Sequence, residues 1–488
     1  MMDQAFAADV VRRAEEPLLA SGVPLMDRAS YALATKVATL RLPGERALAL
    51  VGRGNNGGDA LFAAAYLTRR GVSVSAAIAG DVHAEGLAAA RRAGVQICEI
   101  DGVAALREIA RGADIWIDGL LGIGACGPIR EPYASWIRVL NEERAGRIVV
   151  AVDVPSGVAA DDADLHGPVL CADLTLAMGC LKPAHLLPPA RYACGAVEVV
   201  ELGLGPHLGE PAARQLTDAD VAGLWRVPGR EDHKYTRGVV GLLTGSRDYP
   251  GAGVLSAAGA LGGGPGMVRY LGSSPDVMAA HPEVVPGEGR VQAWVIGSGL
   301  TDLEGAGEVF EQALAEGLPV VLDAGAIALV YDRELPTRVV LTPHAGELAE
   351  LMSAISGEEW DRTRVESAPV RAAREAAART GATVVAKFAT TIIAGPGALY
   401  AQSGAPGWAG TAGSGDVLAG LTGTILAAHA DALARDPGLT TLYAAAAVHV
   451  HARAAARAAG TTGGQIGHPI TATDIARKLA STIGSMND

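Results

Sequence analysis

The sequence predicts a two-domain α/β protein, each domain a mainly parallel sheet with helices packed on both faces. Three observations carry that expectation. Short, continuously apolar strands alternate with helical stretches. The alternation breaks between about Gly203 and Arg230 and then restarts. Gly-rich or polar clusters follow several strands directly, which a parallel sheet would bring to one edge. At 488 residues the chain also exceeds what one hydrophobic core usually serves.

In the first half, Ala47–Val51 reads as a strand, followed by the loop Gly52-Arg53-Gly54-Asn55-Asn56-Gly57-Gly58-Asp59 and a helix over Ala60–Arg70. Val72–Ala79, Ala113–Ile117, Arg147–Val152 and Ala172–Met178 read as further strands. Asp118–Gly124, Asp153–Gly157 and Lys182-Pro183 each come just after one of them, at the carboxyl ends where open α/β sheets collect function. The second half restarts with Val239–Leu243 and a small-residue helix over Ala252–Leu261. Strands at Met267–Tyr270, Gln292–Ile296, Pro319–Leu322, Arg338–Leu341 and Thr383–Ala386 follow, then helices over Asp416–His429 and Thr441–Ala459. The expected division is 1–207, a linker over 208–227, and 228–488. The halves do not repeat each other.

Composition narrows the partners. A formal charge of -13 argues against nucleic acid or an anionic membrane surface. The longest uncharged stretch, Phe388 to Gly415, is broken by Gly and Pro, so no bilayer span is expected. The first residues are mixed polar and apolar, without the apolar core of a signal peptide. All five cysteines lie in the first half with no C-x-x-C pair, which suits reduced thiols in a cytoplasmic protein.

Two loops carry the chemistry: Gly52–Asp59 and Gly410-Thr411-Ala412-Gly413-Ser414-Gly415-Asp416. Glycine lets backbone N–H groups approach phosphate oxygens, and a helix N-terminus adds partial positive charge. An aspartate beside such a cradle repels the phosphate, which is tolerable if it holds a cation or takes a proton. Gly52-x-Gly54-x-x-Gly57 and Gly122-x-Gly124-x-x-Gly127 both fit a dinucleotide fingerprint, although a plain turn explains either one alone as well. Asn55, Asn56 and Asp59 sharpen the first, and Asp118, Asp153 and Ser156 at neighbouring strand ends could complete an oxygen-lined site; the bland alternative makes both aspartates loop caps. Lys182 could polarise a carbonyl or move a proton, or be a solvated surface lysine. In the second half the helix opening at Gly413 could form an anion hole while Asp416 takes a hydroxyl proton. No G-x-x-x-x-G-K-[ST] is present. His449 and His451 read as structural.

These motifs, in this order, resemble a known family. Gly52–Asp59, Asp118–Gly124, Asp153–Gly157 and Lys182-Pro183, with the opening Gly22-Val23-Pro24-Leu25-Met26-Asp27, resemble the NAD(P)HX epimerase (YjeF N-terminal) domain. His233-Lys234, Tyr249–Gly253, Thr342-Pro343-His344-Ala345-Gly346-Glu347 and Gly413–Asp416 resemble the ADP/ATP-dependent NAD(P)HX dehydratase. The resemblance implies a Rossmann-like three-layer αβα domain followed by a ribokinase-like αβα domain, a bifunctional repair enzyme for hydrated nicotinamide coenzymes, and a homo-oligomer. The first domain would interconvert R and S hydrates, and the second would dehydrate the S form with ADP or ATP.

By position, the resemblance implies that Asn55, Asn56, Gly57, Gly58, Asp59, Gly122, Ile123, Gly124, Ala125, Cys126, Gly127 and Pro128 contact the hydrate, with Asp153 and Lys182 at the chemistry. Asn56, Asp118 and Ser156 would bind potassium. In the dehydratase half, Ala252, Gly299, His344 and Asp416 would face the substrate. Lys387, Phe388, Ala389, Thr390, Thr391, Gly413, Ser414 and Gly415 would hold the nucleotide with Mg2+. The chain departs from the family pattern at Lys387-Phe388 and Asp323-Ala324-Gly325. Two other readings share these motifs: a small-alcohol kinase fused to a dinucleotide-binding domain, and a nucleotide-binding protein whose dehydratase half has decayed.

Overall fold

The computed structural model describes residues 2–40, 44–125, 127–301, 303–331, 333–461 and 466–486. They divide into two compact units, one comprising Gln4–Ala213 and the other Arg214 onward together with the first residues of the chain. The stretch 208–227 carries strand Ala213–Gln215 and helix Asp218–Leu224.

The first unit is built on seven strands in the order Gln96–Glu99, Ser73–Ile78, Arg46–Val51, Ile115–Gly119, Ile148–Val152, Leu174–Met178 and Ala196–Val200, every pair parallel. Alternation along each strand feeds two cores. Ala47, Ala49 and Val51 face one apolar layer with Ile115, Ile117, Val150 and Val152. Leu48 and Leu50 face the other with Trp116, Val149 and Ala151. Burial on both faces is why these strands read as unbroken apolar runs. Strand Arg46–Val51 lies beside Ile115–Gly119, yet the chain leaves them toward opposite ends of the sheet order. This is the switch point at which α/β folds open a crevice.

The helix that follows strand Arg46–Val51, Asn55–Arg69, begins five residues before the expected start, so Asn55 to Asp59 form its opening turn rather than a loop. Packing overrides the poor propensity of two glycines. A Cβ at Gly57 would lie 2.0 Å from the Gly52 carbonyl oxygen, and one at Gly58 would meet His83 at 3.0 Å. Strands Gln96–Glu99 and Ala196–Val200, at the sheet's two edges, have no counterpart in the sequence reading; they are partly exposed and carry weaker apolar patterns.

The second unit has a larger mixed sheet. Strands Val285–Pro286, Met267–Tyr270, Val239–Leu243, Ala293–Ile296, Val320–Leu322, Val339–Leu341 and Thr383–Ala386 are parallel neighbours. An antiparallel hairpin, Thr391–Gly395 with Ala398–Gln402, continues the sheet. Helices Pro250–Gly262 and Ser414–Ala428 pack with almost no gap. A Cβ at Gly259 would lie 2.1 Å from the Val417 oxygen, and one at Gly420 would lie 2.0 Å from the Ser256 oxygen. Small residues here let the backbones touch, which holds the amino end of helix Ser414–Ala428 against the sheet edge. Among the described residues no helix is long and apolar enough to cross a membrane, and the four described cysteines are free.

Candidate functional sites

In the first unit a cleft of about 780 Å³ opens at the switch point. Asn55, Asn56 and Asp59 line it from helix Asn55–Arg69, and Gly122, Ile123, Gly124, Ala125, Gly127 and Pro128 line it from the loop after strand Ile115–Gly119. Asp153 and Met178 close it. Gly57 and Gly58 do not reach the cleft and serve the packing of that helix instead. Cys126 lies outside the described residues.

Beside the cleft, Asp118 is fully buried. Its Oδ1 accepts from Ser156 Oγ at 2.6 Å and its Oδ2 from the Ser156 amide at 2.8 Å. Ser156 Oγ in turn accepts from the Leu121 amide at 3.0 Å. Asn56 Nδ2 donates to the carbonyls of Leu121 and Val152, both at 2.8 Å, which turns Oδ1 toward Gly122. No cationic side chain is among the groups acting on Asp118, and burial pushes its carboxyl up to about 6. An all-oxygen set around an uncompensated buried carboxylate suits a weakly hydrated monovalent cation. Among the described residues no cluster of His, Cys, Asp and Glu forms a conventional metal site.

Lys182 is completely buried, not a surface lysine. Its ammonium donates to Asp153 Oδ1 in a very short contact and to the Met178 carbonyl at 2.7 Å. The Met178 amide also donates to Asp153 Oδ1, at 2.9 Å. Asp153 has a φ of 67°, a conformation costing a non-glycine residue about 1–3 kcal/mol. Across the cleft Asp59, bonded by Ser30 Oγ at 3.1 Å, is pushed up to about 7 by burial and by the charges of Asp153 and Glu15. The cleft therefore holds an ion pair and a second carboxyl titrating near neutrality, which is what moving protons at neutral pH requires.

In the second unit four charged groups meet at the carboxyl edge of the sheet. Asp323, buried, accepts from Lys387 Nζ at 3.0 Å, Thr342 Oγ1 at 2.6 Å and Ser298 Oγ at 2.7 Å. Burial raises its carboxyl, but Lys387, Thr342 and Ser298 outweigh that and hold it below the ordinary value. Asp416, in the first turn of helix Ser414–Ala428, goes the other way: burial first, then the charge of Asp323, push it up to about 7. Environments that separate two carboxyls in this manner assign one as fixed charge and the other as base. Glu347 Oε2 lies 4.0 Å from Lys387 Nζ.

The helix N-terminus completes the arrangement. Gly413 caps it with a left-handed φ of 84°, and a Cβ at Gly415 would come within 3.2 Å of Lys387 Nζ. Ala252 and Gly299 touch: a Cβ on Gly299, whose φ is 69°, would lie 2.5 Å from Ala252 Cβ. His344 caps helix Ala345–Ser356, its Nδ1 accepting from the Gly346 and Glu347 amides, while Lys387 N–H donates to the neighbouring Pro343 carbonyl at 2.9 Å. Phe388, Ala389 and Thr390 form the turn that leads into Thr391, with Phe388 half-buried. Lys387, Gly413–Asp416, Ala252, Gly299 and His344 thus share one edge.

Residues 240–479 match the family NAD(P)H-hydrate dehydratase, and residues 23–184 match the family YjeF-related protein N-terminus. The bifunctional NAD(P)H-hydrate repair enzyme Nnr of Mycobacterium tuberculosis is 41% identical over 452 residues, covering 87% of this chain and 89% of that protein. Its counterpart in Mycobacterium leprae is also 41% identical, covering 95% of each chain. The chain belongs to the bifunctional NAD(P)H-hydrate repair enzyme family. An NAD(P)H-hydrate epimerase of Clavibacter michiganensis subsp. michiganensis matches the first part alone, 41% identical over 44% of this chain and 96% of that one. The structure of an ADP/ATP-dependent NAD(P)H-hydrate dehydratase from Bacillus subtilis, co-crystallized with ATP/Mg2+, is 27% identical over 56% of this chain and 98% of that one, with a TM-score of 0.48.

In this member of the repair family the sequence reading missed several groups beside the sites. Arg12, Glu15, Arg53, Arg130 and Tyr133 line the first cleft. Arg53 and Arg130 adjoin the glycine motifs, a signal that was available. Asp323 and Thr342 lie in stretches that the sequence comparison with the family singles out, yet neither they nor Ser298 was given a role, because the Lys387–Asp323 contact joins residues distant in sequence. His451 contacts the Ser414 carbonyl at 3.0 Å and its hydroxyl at 3.3 Å, so it braces the glycine loop from beneath.

Proposed function

We propose that the chain repairs hydrated nicotinamide coenzymes: the first unit interconverts the R and S forms of NAD(P)HX, and the second returns the S form to NAD(P)H at the expense of ADP or ATP. Family membership supports both halves, and the observation that carries the chemistry is Asp416, a half-buried carboxyl poised near neutrality beside a helix N-terminus and a lysine. Asp416 takes the proton of the C6 hydroxyl, whose oxygen then attacks the terminal phosphorus and displaces the shorter nucleotide. The new phosphate ester leaves C6 as inorganic phosphate with the C–O electron pair, and loss of the neighbouring ring proton restores the double bond. Gly413–Gly415 and Lys387 cradle the transferred group. Glu347, at 4.0 Å from Lys387 Nζ, would help hold Mg2+ with the nucleotide, and the cation would supply positive charge for its phosphates. In the first unit Asn56, Asp118 and Ser156 would hold K+, which would supply the positive charge that buried Asp118 lacks. Asp153 and Lys182 handle the proton as the C6 hydroxyl leaves and water returns on the other face, with Asp59 as the second acid or base. The family resemblance extends the reading to a homo-oligomeric assembly.

The test follows reduced-nicotinamide absorbance after adding an R/S mixture of NADHX with ADP or ATP. Wild type should repair the whole mixture, whereas Asp118→Ala should repair the S portion quickly and stall on the rest. Stable phosphorylated product with no coenzyme recovery would instead favour a small-alcohol kinase. A pH series gives a second expectation. Asp416 must be unprotonated to act, so single-turnover dehydration should fall about tenfold per pH unit below about 7 and level off above it. A flat profile from pH 5 to 8 would remove Asp416 from the role of base.

A further inference from the structure

Asp153 reaches the cleft through a strained turn. The Val154 amide donates to the Val152 carbonyl at 2.8 Å, closing a three-residue turn around Asp153, whose φ of 67° belongs to the rare, strained form of such turns. Something must hold it. The Asp153 amide donates to the Leu176 carbonyl at 2.9 Å, and the Asp153 carbonyl accepts from His185 Nε2 at 2.7 Å. The same imidazole accepts the Lys182 amide proton at its Nδ1, at 3.0 Å. That second bond decides the tautomer, because an accepting Nδ1 leaves the proton on Nε2, where the carbonyl needs it. One ring, 1% exposed, therefore joins the backbones of both members of the buried ion pair. Burial and the Lys182 charge lower the imidazole to about 4, so it stays neutral and keeps this tautomer through the neutral range.

We propose that His185 is the positioning residue of the first unit, a neutral imidazole that fixes the Asp153 turn against Lys182. With the turn fixed, one carboxylate oxygen stays on the ammonium and the other is presented to the cleft. His185 has no place among the groups that touch the hydrate; it acts through Asp153. The inference rests on the reading of this unit as an epimerase. It explains why Lys182-Pro183-Ala184-His185 follows the strand as a compact turn: His185 folds back three residues to bond the amide of Lys182.

The full-length chain tests it, with dehydration of pure S hydrate by the second unit as an internal control. Interconversion of separated R and S hydrates is measured for wild type, His185→Leu, His185→Asn and His185→Gln. Displacement of a reacting group by about 1 Å typically costs about 100-fold. His185→Leu should therefore lose about 100-fold in kcat with KM essentially unchanged, and S-hydrate dehydration should be intact. Glutamine can both accept the Lys182 amide and donate to the Asp153 carbonyl, so His185→Gln should recover most of the rate. Asparagine is too short to bridge both and should not. Wild-type rates in His185→Leu, or equal rates in the asparagine and glutamine variants, overturn the proposal, and so does a KM that rises in step with the loss. If His185→Leu does not fold, the asparagine and glutamine pair decides alone. If wild type itself fails to interconvert the hydrates, the epimerase reading falls and takes this role with it.

Discussion

Asp416→Asn should abolish nucleotide-dependent recovery of NAD(P)H, lowering kcat by about 10²- to 10⁴-fold, the usual contribution of a positioned general base. Interconversion of R and S hydrates should be untouched. The substitution keeps the shape of the side chain and removes only its charge and basicity, so KM for hydrate and nucleotide should change little. A second readout separates a base from a merely structural carboxylate. Burial and Asp323 raise Asp416 to about 7 in the fold against an ordinary 3.8. Between those values the folded state holds a proton that the unfolded state has released, so this group's contribution to stability is full at low pH and is lost as pH rises to about 7. Asparagine carries no such burden. The variant should thus melt at the same temperature as wild type near pH 4, gain on it up to about pH 7, and keep a constant lead above. A variant that is inactive yet gains no stability at neutral pH would show that the fold does not hold Asp416 as a half-buried acid with a raised pKa. A fully active variant would end its role as base.

What the sequence could and could not reveal follows from where each signal lives. Strands buried on both faces announce themselves, so Val239–Leu243 and Thr383–Ala386 were legible to the residue, as was the half-buried Met267–Tyr270, and several others to within one or two. Asn55-Asn56-Gly57-Gly58 reads as a loop because its propensity is poor; the close packing of Gly57 on Gly52 and of Gly58 on His83 is not visible in the local pattern. The hairpin Thr391–Gly395 and Ala398–Gln402 sits in a run rich in Gly and Ala that hides strand periodicity. For the sites, motifs placed Asp118, Ser156, Asp153, Lys182 and Asp416 at strand and helix ends, since those positions follow from local pattern. Their partners did not follow. Asp153 and Lys182 are 29 residues apart, and Asp323 meets Lys387 across 64; both pairs exist only because parallel strands bring distant ends together.

That dependence on distant pairing makes Lys182→Met the sharpest test of the first unit. Removing one partner of a buried ion pair leaves the other charge uncompensated and typically costs about 3–5 kcal/mol. Asp153 borders the cleft, where water partly replaces the ammonium, so the lower figure applies: about 3 kcal/mol, or roughly 6–12 °C in the melting of this unit. Epimerisation should vanish while S-hydrate dehydration persists. The double variant Lys182→Met/Asp153→Asn separates stability from chemistry. It should regain much of the melting temperature, since no unpaired charge remains, and still fail to interconvert the hydrates. Equal stability in the single and double variants would mean that Asp153 is solvated rather than held by Lys182. Epimerisation at the wild-type rate in the single variant would mean that the lysine is scaffolding alone, and the proton would then have to move through Asp59.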